Sequence, residues 1–101
     1  MEPQLDATAQ AQLVRNGEAS PRELVEAAIE RIEALNGDLN AVIHPLFERA
    51  LETEPADGPF RGVPFVVKDL VCAVADTPQH EGMRFLRDLD FRADADSWLA
   101  S

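Results

Sequence analysis

Phe60-Arg61-Gly62-Val63-Pro64-Phe65-Val66-Val67-Lys68-Asp69-Leu70 is the stretch on which the fold reading turns. Aromatic and β-branched residues run through it into a lysine, with no polar alternation to keep one face in water. A continuous apolar run of this kind predicts a strand covered on both faces, as in the sheet of an α/β protein. A lysine closing such a strand either surfaces into solvent or is held inside for chemistry. Taken alone, it reads as a surface lysine whose stem lies along apolar neighbours.

Before this strand, Pro55-Ala56-Asp57-Gly58-Pro59 is a turn with several breaking signals. Further upstream the chain reads as helical. Leu5 to Asn16 predicts a short helix, with Asp6 as a cap and Gly17 at a plausible stop. Ser20-Pro21-Arg22-Glu23 opens a second helix: a capping serine, a proline at the first helical position and a glutamate three residues after the cap. Leu24, Val25, Ala28, Ile29, Ile32 and Leu35 then recur at helical spacing, while Glu23, Glu26, Glu30 and Glu33 form a solvated face. Asn36-Gly37 predicts its end, because both tolerate positive φ. A third helix is expected from Pro45 to about Glu54.

After the strand, Cys72 to Pro78 reads as a loop and Met83 to Leu89 as one or two helical turns. Arg92 to Ser101 predicts the opening of a further helix, capped by Asp94 or Asp96, with Trp98 and Leu99 as its first buried residues. A single strand covered on both faces cannot form a sheet alone, and a helix of one or two turns is not stable in isolation. The expectation is therefore a truncated domain. Residues 1–57 would be a helical layer, and residues 58–101 the first core strand, a loop and the start of the next helix.

The chain has 101 residues, 46% of them hydrophobic, which excludes a disordered acidic tail and allows one small domain with a modest core. Its 9 basic and 19 acidic residues give a net charge of −10. That charge repels phosphate backbones and anionic lipid, so neither a nucleic acid nor a membrane surface is an expected partner. Cys72 is the only cysteine, so no internal disulfide forms. The first residues carry neither a basic cluster nor an apolar core of a secretory signal, and a cytoplasmic location is the default expectation.

Three blocks carry a resemblance: the helix from Ser20 to Ile32, Leu39-Asn40-Ala41-Val42, and Gly62-Val63-Pro64-Phe65-Val66-Val67-Lys68-Asp69. In this order and spacing they resemble the N-terminal part of the amidase signature family. His80-Glu81-Gly82-Met83-Arg84 and the segment from Arg92 to Leu99 resemble the bacterial branch that includes the 6-aminohexanoate cyclic-dimer hydrolases. The resemblance covers essentially the whole chain. It implies an α/β hydrolase of carboxylic amides with a large mixed sheet, no cofactor and no metal. It also implies a Ser-Ser-Lys triad, whose lysine stands in a Gly-Val-Pro-x-x-x-Lys-Asp motif and maps onto Lys68.

The chemistry of a buried lysine fits that role. An ordinary lysine is protonated at neutral pH and cannot accept a proton. Burial disfavours the charged form, and a base poised near neutrality can activate a serine hydroxyl. Asp69 points to the opposite strand face, so its expected task is bonding backbone groups where the strand ends.

The resemblance also exposes a gap. The family's serines belong to a glycine-serine-rich stretch downstream of the lysine, and this sequence contains none. Its three serines are Ser20, Ser97 and Ser101. Ser20 is committed to a cap, and none has a glycine-rich neighbourhood suited to an oxyanion hole. Gly82-Met83 stands where many family members have Gly-Ser. The isolated chain is therefore expected to be inactive.

Other chemical readings are weaker. Cys72 reads as a small hydrophobe, since the pattern places no histidine base beside it. His80-Glu81 opens like a zinc-protease helix, but Arg84 occupies the second histidine position. Asp88, Asp90, Asp94 and Asp96 lack the glycine and registers of a calcium loop. Gly58, Gly62 and Gly82 match no nucleotide fingerprint. The primary expectation is an amidase acting on a small-molecule amide, with the missing remainder of the enzyme as a partner. The rivals are a small acidic helical binding module and one half of a split amidase.

Overall fold

The computed structural model describes residues 5–100, which divide into two compact units on either side of the Phe65–Val66 peptide bond. Ser101 lies outside the described residues. Among the described residues four helices form: α1 (Ala7–Arg15), α2 (Pro21–Leu39), α3 (Phe47–Glu52) and α4 (Arg84–Asp88). Among the described residues no helix is long and apolar enough to cross a membrane.

The first unit holds α1, α2 and α3. Asp6 caps α1 as expected, its carboxylate accepting the Ala9 N–H at 2.8 Å. Ser20 and Glu23 form the full reciprocal capping box at the start of α2, each bond at 3.1 Å, with Pro21 at the first helical position. Two otherwise orphaned N–H groups are thereby satisfied. α2 packs against α3, and its stripe of Leu24, Val25, Ala28, Ile29 and Ile32 is half-buried.

The end of α2 corrects the expectation of a stop at Asn36-Gly37. The helix runs on to Leu39, and Asn40 takes the left-handed conformation with φ of 49°. Asn36 acts from inside the last turn instead. Its Oδ1 accepts the N–H groups of Ala41 and Val42, and its Nδ2 donates to the Val42 carbonyl, all at 2.9 Å. The residue is the right stop signal, but its side chain operates several positions ahead of the break. The third helix is shorter than expected. It ends where Thr53 folds back, its Oγ1 donating to the Arg49 carbonyl at 2.6 Å.

Arg61 and Arg15 tie down the turn that follows α3. Arg61 donates to the Pro55 carbonyl and to Glu54 Oε1, the latter at 3.1 Å, and Arg15 donates to the Pro59 carbonyl at 3.0 Å. Gly62 then passes against the start of α2 with φ of +82°. A Cβ at this position would lie 2.8 Å from Pro21 Cγ. Glycine is thus required twice, by the backbone conformation and by the close approach.

The second unit is built on paired loops and α4. Residues 76–79 run antiparallel to residues 91–93 through an isolated bridge between Pro78 and Arg92. Gln79 N–H donates to Phe91 O and Ala93 N–H to Thr77 O, both at 3.0 Å. Pro78 has no N–H to give, and the bonds fall on its two neighbours. Thr77, Gln79 and Ala93 are buried at this pairing.

Two expectations about this region are corrected. No strand is formed by the Phe60–Leu70 run, or anywhere among the described residues. A strand exists by virtue of a ladder, and no neighbouring segment here pairs with residues 63–68. The segment after Arg92 does not open a helix. Residues 97–100 form a turn, and Asp96 uses its carboxylate to accept the Ala75 N–H at 2.8 Å rather than to cap. Trp98 is 93% exposed and Leu99 71%, not buried.

Among the described residues only Ala11 and Ala93 are buried hydrophobics. Many large apolar side chains remain outside: Phe65 is 84% exposed and Val66 72%. A chain in which 46% of residues are hydrophobic thus keeps much of its apolar surface uncovered.

Candidate active site

Lys68 follows the apolar run and is exposed. Among the described residues it makes no ion pair. Its backbone position is set by what comes next. Asp69 turns its carboxylate onto the chain at the far end of the loop, accepting the N–H of His80 at 3.0 Å and 3.2 Å through its two oxygens, and the N–H of Glu81 at 3.2 Å. The expected task of Asp69, bonding backbone groups after the run, is what the geometry shows. An ionised acceptor on backbone N–H groups makes bonds about twice as strong as neutral ones.

A second carboxylate closes the same loop from the other side. Glu81 Oε1 accepts the Val71 N–H at 3.3 Å and the Gln79 Nε2–H at 3.2 Å. Val71 has φ of 53° and Glu81 has φ of 52°. A β-branched residue in the left-handed region costs about 1–2 kcal/mol, so surrounding bonds must hold it there. Glu81 had no assigned role from the sequence. The available signal was its place just before Gly82, in a turn where a short span of chain reverses.

The loop is further knit by Thr77 Oγ1, which donates to Val74 O at 2.8 Å, and by Ser97 N–H, which donates to Ala73 O at 2.8 Å. Arg92 Nη2 donates to the Asp76 carbonyl at 2.7 Å. Cys72 is a half-buried free thiol within this loop.

Among the described residues, neither Ser20 nor Ser97 is arranged as a nucleophile. Ser20 Oγ is occupied by the Glu23 N–H. The Ser97 hydroxyl accepts the Ala100 N–H at 3.4 Å in the terminal turn. Among the described residues the geometry therefore offers one lysine amine on a bound-down loop, flanked by uncovered apolar residues, with neither Ser20 nor Ser97 committed to attack.

Comparison with known proteins places these features. The family model described as Amidase matches residues 23–100. The chain belongs to the amidase family. It is similar to the 6-aminohexanoate-cyclic-dimer hydrolase of Pseudomonas sp. (strain NK87), with 47% identity over 93% of this chain and 19% of that protein. The acylamidase of Rhodococcus erythropolis is 36% identical over 83% of this chain and 20% of its own length. A solved structure of 6-aminohexanoate cyclic dimer hydrolase complexed with substrate superposes with a TM-score of 0.89 and 44% identity, covering 95% of this chain and 20% of that one. The resemblance read from the sequence blocks is thus shown. The chain spans about a fifth of the length of these relatives.

Proposed function

We propose that this chain is the lysine-bearing N-terminal section of an amide hydrolase, and that Lys68 is the proton acceptor of its reaction. The observation that carries this reading is the anchored Lys68-Asp69 pair at the end of the Gly62-Val63-Pro64 run, within a chain that matches amidases over nearly its whole length. Relatives named as an acylamidase and a cyclic-dimer hydrolase support a small-molecule amide as the substrate class.

In this reading a serine from the remainder of the enzyme attacks the amide carbonyl. Its proton passes through a second serine to the neutral amine of Lys68. The tetrahedral intermediate collapses, the C–N bond breaks, and the same proton leaves with the amine product. Water then releases the acid from the acyl-serine, and the lysine relays its proton in turn. The other segments also pair with residues 58–67 to complete an α/β sheet, and they cover Phe65, Val66, Trp98 and Leu99. The wide exposure of these side chains supports such a cover. Residues 1–57 then serve as the helical layer.

The test is to join residues 1–101 to the remaining four-fifths of the 6-aminohexanoate-cyclic-dimer hydrolase, replacing its own matching segment. Hydrolysis of the cyclic dimer by the chimera, with none by this chain alone, is expected. A well-folded chimera without activity would refute the reading.

A further inference from the structure

Lys68, Asp69, Leu70 and Val71 leave the apolar run and reverse direction within four residues. Two carboxylates hold that reversal. Asp69 binds the backbone of His80 and Glu81, and Glu81 binds the backbone of Val71 together with the buried Gln79 side chain. The two bonds cross: the residue after the lysine grips position 81, and position 81 grips the third residue after the lysine. Such a closed ring holds the chain from Asp69 to the left-handed turn at Val71, and the Lys68 backbone joins it through the peptide bond to Asp69.

We infer that Glu81 is a positioning residue for Lys68, acting with Asp69 as a two-carboxylate clasp that fixes the backbone from which the lysine side chain projects. The inference deepens the hydrolase reading and rests on it for the purpose of the clasp, but the clasp itself is testable without any reaction. A base misplaced by about 1 Å can lose on the order of 10²-fold in rate, so a rigid root for a long, flexible side chain has a direct chemical use. Glu81 suits the task because its own backbone N–H is held by Asp69 while its carboxylate reaches back across the loop.

Lys68 is the only lysine, so labelling with 15N-lysine reports its backbone amide alone. In the unaltered chain the amide order parameter should sit near the rigid value of about 0.85. Glu81→Ala should drop it below about 0.6, and Glu81→Gln, which keeps an acceptor oxygen, should restore it. The N–H of Ala93, bonded to Thr77 outside the clasp, serves as the reference for an intact unit. If Glu81→Ala loses Ala93 protection, Glu81→Gly is read in its place, because glycine accommodates the positive φ and removes only the carboxylate. An ordered Lys68 amide in the folded Ala or Gly variant would overturn the proposal. So would a mobile amide in the unaltered chain, or loss of Ala93 protection in both variants, which would make Glu81 a support of the whole unit. A chimera that folds with an ordered Lys68 yet hydrolyses nothing would sink the hydrolase reading and leave the clasp standing.

Discussion

Gly62 lies against the ring of Pro21, so close that a methyl group on Gly62 would meet Pro21 Cγ at 2.8 Å. The glycine that opens the lysine motif is therefore seated on the first residue of α2, whose capping box fixes where that helix begins. Gly62→Ala should destabilise the first unit by about 2–3 kcal/mol, combining the cost of a positive φ with a steric conflict. Urea unfolding followed by circular dichroism measures this. Pro21→Ala removes Cγ but keeps Cβ, 3.0 Å from the added methyl, so it should recover a portion of the steric part and give a non-zero coupling in a double-mutant cycle.

Asn36→Ala should cost about 1–3 kcal/mol, since it leaves the Ala41 and Val42 N–H groups and the Val42 carbonyl without their partner. Amide exchange at Ala41 and Val42 should accelerate, while exchange near Ser20 stays unchanged. Equal acceleration at both ends of α2 would show that Asn36 supports the entire helix rather than its exit.

Asp69→Ala should release the N–H groups of His80 and Glu81 to exchange with solvent and cost about 1.5–3 kcal/mol in the second unit, the range for hydrogen bonds to a charged acceptor. Asp69→Asn should recover part of the protection. Unchanged exchange at both positions in Asp69→Ala would remove the anchoring role.

Trp98 is the only tryptophan and is 93% exposed, which makes it an internal reporter of cover. Its fluorescence in the isolated chain should be that of a water-exposed indole and should shift to shorter wavelength in the chimera. Trp98→Ala should change the stability of the isolated chain by less than about 0.5 kcal/mol, but should cost the chimera about 3–5 kcal/mol. The same small effect in both would mean that the residue is a surface feature of the assembled enzyme as well.

The parts of this fold legible in the sequence are those set by neighbours along the chain. Ser20, Pro21 and Glu23 announce the start of α2 because a capping box involves only one turn of backbone. Asp6 is readable for the same reason. The stop of α2 was legible in kind but not in place, because Asn36 binds forward to Ala41 and Val42. The strand and the final helix were misplaced for a different reason. The patterns of Phe65-Val66-Val67 and of Trp98-Leu99 describe apolar surface, and a pattern does not say whether the same 101 residues cover it; here these side chains are exposed. At the site, the bonding of Asp69 to backbone groups was legible through its position at the end of the run, whereas the role of Lys68 rests on the resemblance of its motif. Glu81 was not, since its bond to Val71 spans ten residues of irregular loop that carries no periodic signal.

The account stands or falls on Lys68 as proton acceptor, and the chimera with Lys68→Met tests it most directly. The methionine keeps the length of the stem and removes the amine. The account predicts that kcat for amide hydrolysis falls by about 10²–10⁴-fold, the range typical of a lost general base, in a protein that unfolds at the same denaturant concentration as its parent. A folded Lys68→Met chimera that keeps its parent's kcat would contradict it.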